Sequence, residues 1–176
     1  MMSRTAKIPN ATMRREKRSF RLGVIADTHG LFDASLEVHF GGIDHIVHAG
    51  DIGDRSVMDR LAKIAPVTAV SGNVDGYGLS GFPVDRLLEL AGCRIALRHI
   101  VYEGGRLHPD ARALLDREHP DICIFGHTHR PLIEWLGPML LFNPGSAGPK
   151  RLHLPRAIGL LTIDPDRVTP IHVLLK

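Results

Sequence analysis

The chain has little of what small secreted or membrane proteins depend on. Two of its 176 residues are cysteines, Cys93 and Cys123, each inside an apolar run, so both are expected to be small buried hydrophobes and not a disulfide or a metal pair. No apolar run approaches the ~20 residues that a membrane span needs, and the first residues lack the apolar centre of a secretion signal. A soluble cytoplasmic protein with no membrane partner is the expectation.

Positive charge is also missing from most of the chain. The pI near 9.1 arises in residues 1–18, where Arg4, Lys7, Arg14, Arg15, Lys17 and Arg18 face Glu16 alone; the remainder holds 16 basic and 18 acidic residues. Residues 1–18 therefore read as a basic disordered tail and 19–176 as one domain, long enough to bury roughly 70% of its unfolded surface. Such a tail is either a solvated end or a contact for nucleic acid or an anionic surface. Apart from that contact, no nucleic-acid partner is expected.

What is there is a series of short apolar runs, each stopped by polar residues and glycine. Phe20 to Ala26 ends at Asp27-Thr28-His29-Gly30, Ile43 to Ala49 ends at Gly50-Asp51, and Val67 to Val70 ends at Ser71-Gly72-Asn73. Helical spacing over Leu31 to Phe40, and again at Val57, Leu61 and Ile64, separates them, so these runs predict parallel strands of a βαβ series. Functional loops in such sheets lie beyond the carboxyl ends of the strands. Asp85 to Leu90 and Arg94 to Leu97 then predict a hairpin ending near His99, followed by a helix over about Leu107 to Glu118. A strand-forming run, Asp121 to Phe125, leads into Gly126-His127-Thr128-His129. The last quarter, with strands at Pro131 to Leu136, Met139 to Phe142, Ala157 to Ile163 and Val168 to Leu174, is expected to form an antiparallel meander. The sum is a mixed α/β domain with two sheets face to face and helices outside.

Polar residues that terminate strands form the candidate site: Asp27, His29, Asp51, Asn73, His99, His127 and His129. Two carboxylates, one carboxamide and four imidazoles are too many ligands for one ion and suit two ions sharing a carboxylate. Mixed nitrogen and oxygen donors favour first-row metals over Ca or Mg. The other seven histidines, His39, His45, His48, His108, His119, His153 and His172, lack ligand partners by spacing; His48, three residues before Asp51, is the one that strand alternation brings towards the site. Asp75 is a turn former or a residue that orients a ligand. Lys150, Arg151, Arg156 and Arg106 either line a phosphate approach or are solvated charges.

This set, in this order, resembles the calcineurin-like metallophosphoesterases. The short length and Asn143-Pro144-Gly145-Ser146 are most similar to their small bacterial and archaeal phosphodiesterase branch, over about residues 20 to 175. The resemblance implies an αββα sandwich of two mixed β-sheets flanked by helices. It further implies one metal held by Asp27, His29 and His129, a second held by Asn73, His99 and His127, and Asp51 bridging them. The implied reaction is hydrolysis of phosphodiesters, with some monoesters, by in-line attack of a metal-bridging hydroxide. Asp51 and Asn73 are the residues nearest that chemistry, and the implied cofactors are two divalent ions, Mn first, with Fe, Zn or Ni as alternatives. Membership leaves a homo-oligomer open.

Two positions depart from the family's pattern. Many members have His directly after the Asn ligand, where this chain has Val74, and relatives usually have Gly after the ligand at His99, where this chain has Ile100. The first departure puts vigorous hydrolysis of unactivated esters in doubt, and it keeps a second reading in view: a metal-binding interaction scaffold of the same fold with little turnover. A barrel-type metal hydrolase also uses a His-x-His pair, but on its first strand, whereas here the pair stands at 127–129.

Overall fold

A computed structural model describes residues 18–76, 79, 81–151 and 153–176. The tail expected over 1–18 lies outside this range except for Arg18, whose guanidinium pairs with Asp44 at 2.8 Å.

Among the described residues, twelve strands and three helices make four layers. One sheet holds β1 (Phe20–Ile25), β2 (His45–His48), β3 (Val67–Ala69), β11 (Arg156–Ile163) and β12 (Val168–Leu175) in the order β12-β11-β1-β2-β3. The other holds β4 (Asp85–Leu90), β5 (Cys93–Arg98), β8 (Ile122–Ile124), β9 (Leu132–Leu136) and β10 (Met139–Asn143) in the order β4-β5-β8-β10-β9. Both sheets are mixed. β1, β2 and β3 run parallel with one another, as do β5, β8 and β10.

Strand alternation builds the layers. Leu22, Val24 and Val47 point between the sheets, where they meet Ile95, Leu97, Ile124 and Phe142 from the opposite one. Ile25 and Ile46 point outward onto Leu36 of α1 (Leu36–His39) and Val57 and Leu61 of α2 (Arg55–Leu61). On the far side, Cys123 and Phe125 meet Ala111 and Leu115 of α3 (Pro109–Glu118). Runs apolar on both faces are what a strand covered on both sides requires. Cys123 is buried in that outer layer, where desolvation pushes its thiol up to about 12; Cys93 is only half-buried, and both are free thiols.

Two expectations need correction. The helix read over Leu31 to Phe40 shrinks to Leu36–His39, because its first half is consumed by turns. Leu31 N–H bonds back to Thr28, and Asp33 accepts from the backbone N–H and hydroxyl of Ser35, a local alternative to helix that Asp and Ser favour. The final quarter is not one meander: β9–β10 and β11–β12 are antiparallel hairpins in different sheets. The connection from Asn143 to Arg156 crosses from one sheet to the other, and length alone did not reveal that. A two-stranded hairpin, β6 (Tyr102–Glu103) with β7 (Arg106–Leu107), closes over Gly104 and Gly105 just before α3 and has no counterpart in the sequence reading.

Candidate metal centre

The carboxyl ends of the parallel strands from the two sheets open onto one basin. Asp27 follows β1, Asp51 follows β2, Asn73 follows β3, His99 follows β5, and His127 and His129 follow β8. Among the described residues seven non-glycine residues have positive φ, and five of them are Asp27, His29, Asp51, His127 and His129. Left-handed backbone costs about 1 kcal/mol or more at each such residue, and Asp, Asn and His tolerate it better than most. Cross-loop bonds hold it in place: Asp27 N–H to Gly50 at 3.0 Å, His29 N–H to Asp51 at 3.0 Å, and Gly148 N–H to Asp27 at 3.0 Å.

All seven sequence-predicted residues converge. On one side His129 Nε2 lies 3.2 Å from Asp27 Oδ1 and 3.3 Å from His29 Nε2. On the other, Asn73 Oδ1 lies 3.0 Å from both His99 Nε2 and His127 Nδ1. Asp51 stands between, with Oδ1 3.3 Å from His99 Nε2 and Oδ2 4.0 Å from His29 Nε2. Donor atoms of Asp27, Asp51 and His99 also lie within 4.8 Å of one another, as do those of Asp27, His29 and His129. Asp27 thus touches both groups. Its oxygens receive the His127 N–H at 3.1 and 3.3 Å. The two oxygens of Asp51 address different halves, Oδ1 towards His99 and Oδ2 towards His29, and Oδ1 also accepts the Val74 N–H at 3.0 Å.

The donor set fits a cation. His99 Nδ1 faces the Ala49 carbonyl at 2.7 Å and must carry the proton. The Nε2 lone pair of neutral His99 then points at two further acceptors, the oxygens of Asn73 and Asp51. Acceptors facing acceptors need positive charge between them. Burial disfavours charged His99, but the Asp51 hydrogen bond, the Asp27 and Asp51 carboxylates and the Ala49 carbonyl together raise its pKa. Ligand atoms about 2.1 Å from one ion stand about 3 to 3.5 Å apart, the spacing seen here.

Beneath the basin lies His48, fully buried and partnered at both nitrogens. Gly50 N–H donates to Nδ1 at 3.2 Å, so Nε2 carries the proton and donates to Thr28 Oγ1 at 2.9 Å; that hydroxyl donates in turn to the Ile52 carbonyl at 2.9 Å. This chain ties the loop of Asp27 and His29 to the loop of Asp51. Burial pushes the pKa of His48 down to about 3. Unfolded, the imidazole titrates near 6.5, so between pH 6.5 and 3 the unfolded chain binds a proton that the folded one refuses. Stability from this group is complete above that window and is lost as pH falls through it, by about 1.4 kcal/mol per unit. Between pH 7 and 5 the metal-free wild type is expected to lose about 2 kcal/mol more than His48→Gln; equal losses in urea unfolding would contradict this.

Asp75 is both things that the sequence allowed. Its Oδ2 accepts Gly72 N–H at 2.8 Å, closing the local turn, and its Oδ1 accepts Gly53 N–H at 2.9 Å, clamping that turn to the Asp51 loop. Asn143 donates to Gly126 O and Thr128 Oγ1 at 2.8 and 3.1 Å, and Ser146 Oγ donates to Asp27 O at 2.9 Å, so Asn143 and Ser146 of the 143–146 turn brace two ligand loops. Of the four basic candidates, Arg156 is committed to structure, bonding Gly148 and Ala147 carbonyls and pairing with Asp33 at 2.8 Å. Arg151 reaches the basin, with Nη2 3.2 Å from His29 Nε2. Thr28, Gly53 and Gly148 were missed in the sequence, because their roles are contacts between loops and not residue chemistry.

Two facing mixed sheets with carboxylate, carboxamide and imidazole donors pooled at their strand ends define an α/β sandwich with a candidate metal centre. The calcineurin-like phosphoesterase superfamily domain matches residues 20–166, and the chain belongs to that superfamily. It is 39% identical over 134 residues to a probable metallophosphoesterase of Methanocaldococcus jannaschii, covering 71% of this chain and 67% of that one. It is 32% identical to the phosphodiesterase YfcE of Escherichia coli, covering 82% and 88%. Among solved structures, zinc-complexed Vps29 of Entamoeba histolytica superposes with a TM-score of 0.66 at 22% identity, covering 88% and 99%, a likeness of fold. No helix among the described residues is long and apolar enough to cross a membrane.

Proposed function

We propose that the protein is a binuclear metal-dependent phosphoesterase that hydrolyses phosphodiesters more readily than monoesters. The observation that carries this reading is Asp51, whose two oxygens address His29 on one side and His99 on the other. Asp27, His29 and His129 would hold one divalent cation, Asn73, His99 and His127 the other, with Asp51 shared. Bound there, two such cations lower the pKa of water and neutralise charge developing on phosphoryl oxygens. Mn, Fe, Zn or Ni all suit these nitrogen and oxygen donors.

The chain's own residues set the rest. His99 is held in one tautomer by Ala49, leaving Nε2 free. Val74 N–H, 3.0 Å from Asp51 Oδ1, fixes the carboxylate's rotation. Arg151 places a guanidinium at the rim of the basin, where it attracts a phosphate. The basin is lined by fixed donors and stays positive with two divalent ions against two carboxylates, which favours an anionic substrate over a neutral one.

At position 74 a half-exposed valine side chain offers no proton to a departing oxygen. Rates are therefore expected to fall steeply as the leaving group becomes more basic, with p-nitrophenyl phosphodiesters cleaved fastest. The test is an assay of metal-stripped and Mn-reloaded protein against a series of aryl phosphodiesters. A rate independent of leaving-group pKa would sink the mechanism. The exposed Val74 and the zinc-complexed Vps29 fold favour one second reading, a metal-binding interaction scaffold. Stoichiometric metal binding without cleavage of any phosphoester would establish it.

A further inference from the structure

A small cavity of about 180 Å³ opens beside the Asn73 and His99 half of the basin. Those two residues form its inner end. Its outer walls are Ile100 and Val84, the latter 60% exposed although apolar. Ser71 ties the two sides of the opening together, bonding the Pro83 carbonyl through its N–H at 2.9 Å.

The charge behind the wall is unusual. Arg98 lines the cavity, yet its guanidinium is committed: Nη1 pairs with Asp85 at 2.6 Å, Nη2 with Asp110 at 3.4 Å, and Nε donates to the Ile100 carbonyl at 3.0 Å. One cation against two carboxylates leaves a local charge of −1. The wall thus holds no spare positive charge for a phosphate or carboxylate, which favours an uncharged occupant. Size narrows the class further. An apolar protein cavity of about 150 Å³ holds a benzene molecule, so the space between these walls matches a single ring or a short branched alkyl group.

Resting on the phosphoesterase reading, we propose that this cavity is the subsite for an uncharged, single-ring ester substituent of the substrate. A phosphate held between the two halves of the basin would then direct one ester arm past Asn73 into the space between Ile100 and Val84. The fixed guanidinium of Arg98 positions that wall by holding Ile100 through its carbonyl.

The test is calorimetric binding of two non-hydrolysable phosphonates to Mn-loaded protein, with variants Val84→Trp, which fills the cavity from its mouth, and Ile100→Ala, which strips its wall. Phenylphosphonate is expected to bind about tenfold more tightly than methylphosphonate, from the apolar area that the ring buries. Val84→Trp should erase that difference, and Ile100→Ala should reduce it severalfold, while methylphosphonate affinity and metal content stay unchanged. Equal binding of both phosphonates, unmoved by either variant, would overturn the subsite and leave the phosphoesterase reading standing. If the metal-loaded protein binds neither phosphonate and cleaves no diester, the phosphoesterase reading fails and the subsite with it.

Discussion

Asp51→Asn is expected to cost the protein both metals. The residue is 3% exposed and stands on left-handed backbone with φ 54°. Burial alone would raise its carboxyl, but the His99 hydrogen bond and charge, the Val74 N–H and His29 outweigh burial and hold it down to about 2. The protein thus keeps a carboxylate charged in a place that disfavours charge. Asparagine keeps the shape and removes one of two negative charges, and its amide turns two hydrogens towards partners that need an acceptor. Loss of a group that merely orients a ligand weakens metal binding 10- to 100-fold; loss of a shared ligand is expected to exceed about a hundredfold at both positions, with hydrolysis falling in step. His127→Ala and His129→Ala should each empty one position and leave the other, because their imidazoles belong to opposite halves. Metal content measured after gel filtration separates these outcomes. Two ions retained by Asp51→Asn would remove it as the bridge.

Gly72→Ala should be nearly as damaging although it touches no donor atom by chemistry. A Cβ built at Gly72 lies 2.0 Å from Asp51 Oδ1 and 2.2 Å from its backbone nitrogen. Neither side can yield cheaply. Gly72 N–H is pinned by Asp75, and Asp51 by Val74 N–H and by His29, whose N–H bonds its carbonyl. Overpacking of this kind costs about 3 kcal/mol, and the loop that moves carries the carboxylate proposed to bridge. A lowered urea midpoint together with lost metal stoichiometry is expected. Gly76→Ala, where a Cβ meets nothing within 4 Å, serves as the control and should change neither.

The candidate site was more legible in the sequence than the fold that carries it. Asp27, Asp51 and Asn73 could be found because each stops an apolar run of strand-forming residues, a pattern local to a few positions. His127 and His129 were legible for the same reason, and their division between two halves is what the family resemblance implies. The destination of each C-terminal hairpin was not legible: β10 and β11 are neighbours in sequence and lie in different sheets, a choice made by burial of Phe142 and Leu161 between the layers. Nor was the shortness of α1, since Asp33 and Ser35 compete with helix through side-chain bonds that leave no trace in the apolar spacing. Strand alternation brings His48 towards the site, but the alternation does not show what its ring holds. Its position, with one nitrogen towards each ligand loop, depends on a tautomer that the structure alone fixes.

Each half of the basin draws donors from both sheets: His129 joins Asp27 and His29, and Asn73 joins His99 and His127. The span within each half, from the donors of one sheet to those of the other, is therefore a dimension of the sandwich, set by how thick the apolar filling is. That thickness is fixed far from any substrate, for instance where the Phe142 ring lies so close over Gly159 of the opposing sheet that a Cβ there would fall 2.2 Å from it. The core works as a gauge block, and a methyl group added to it would be read at the metal centre as a change in span.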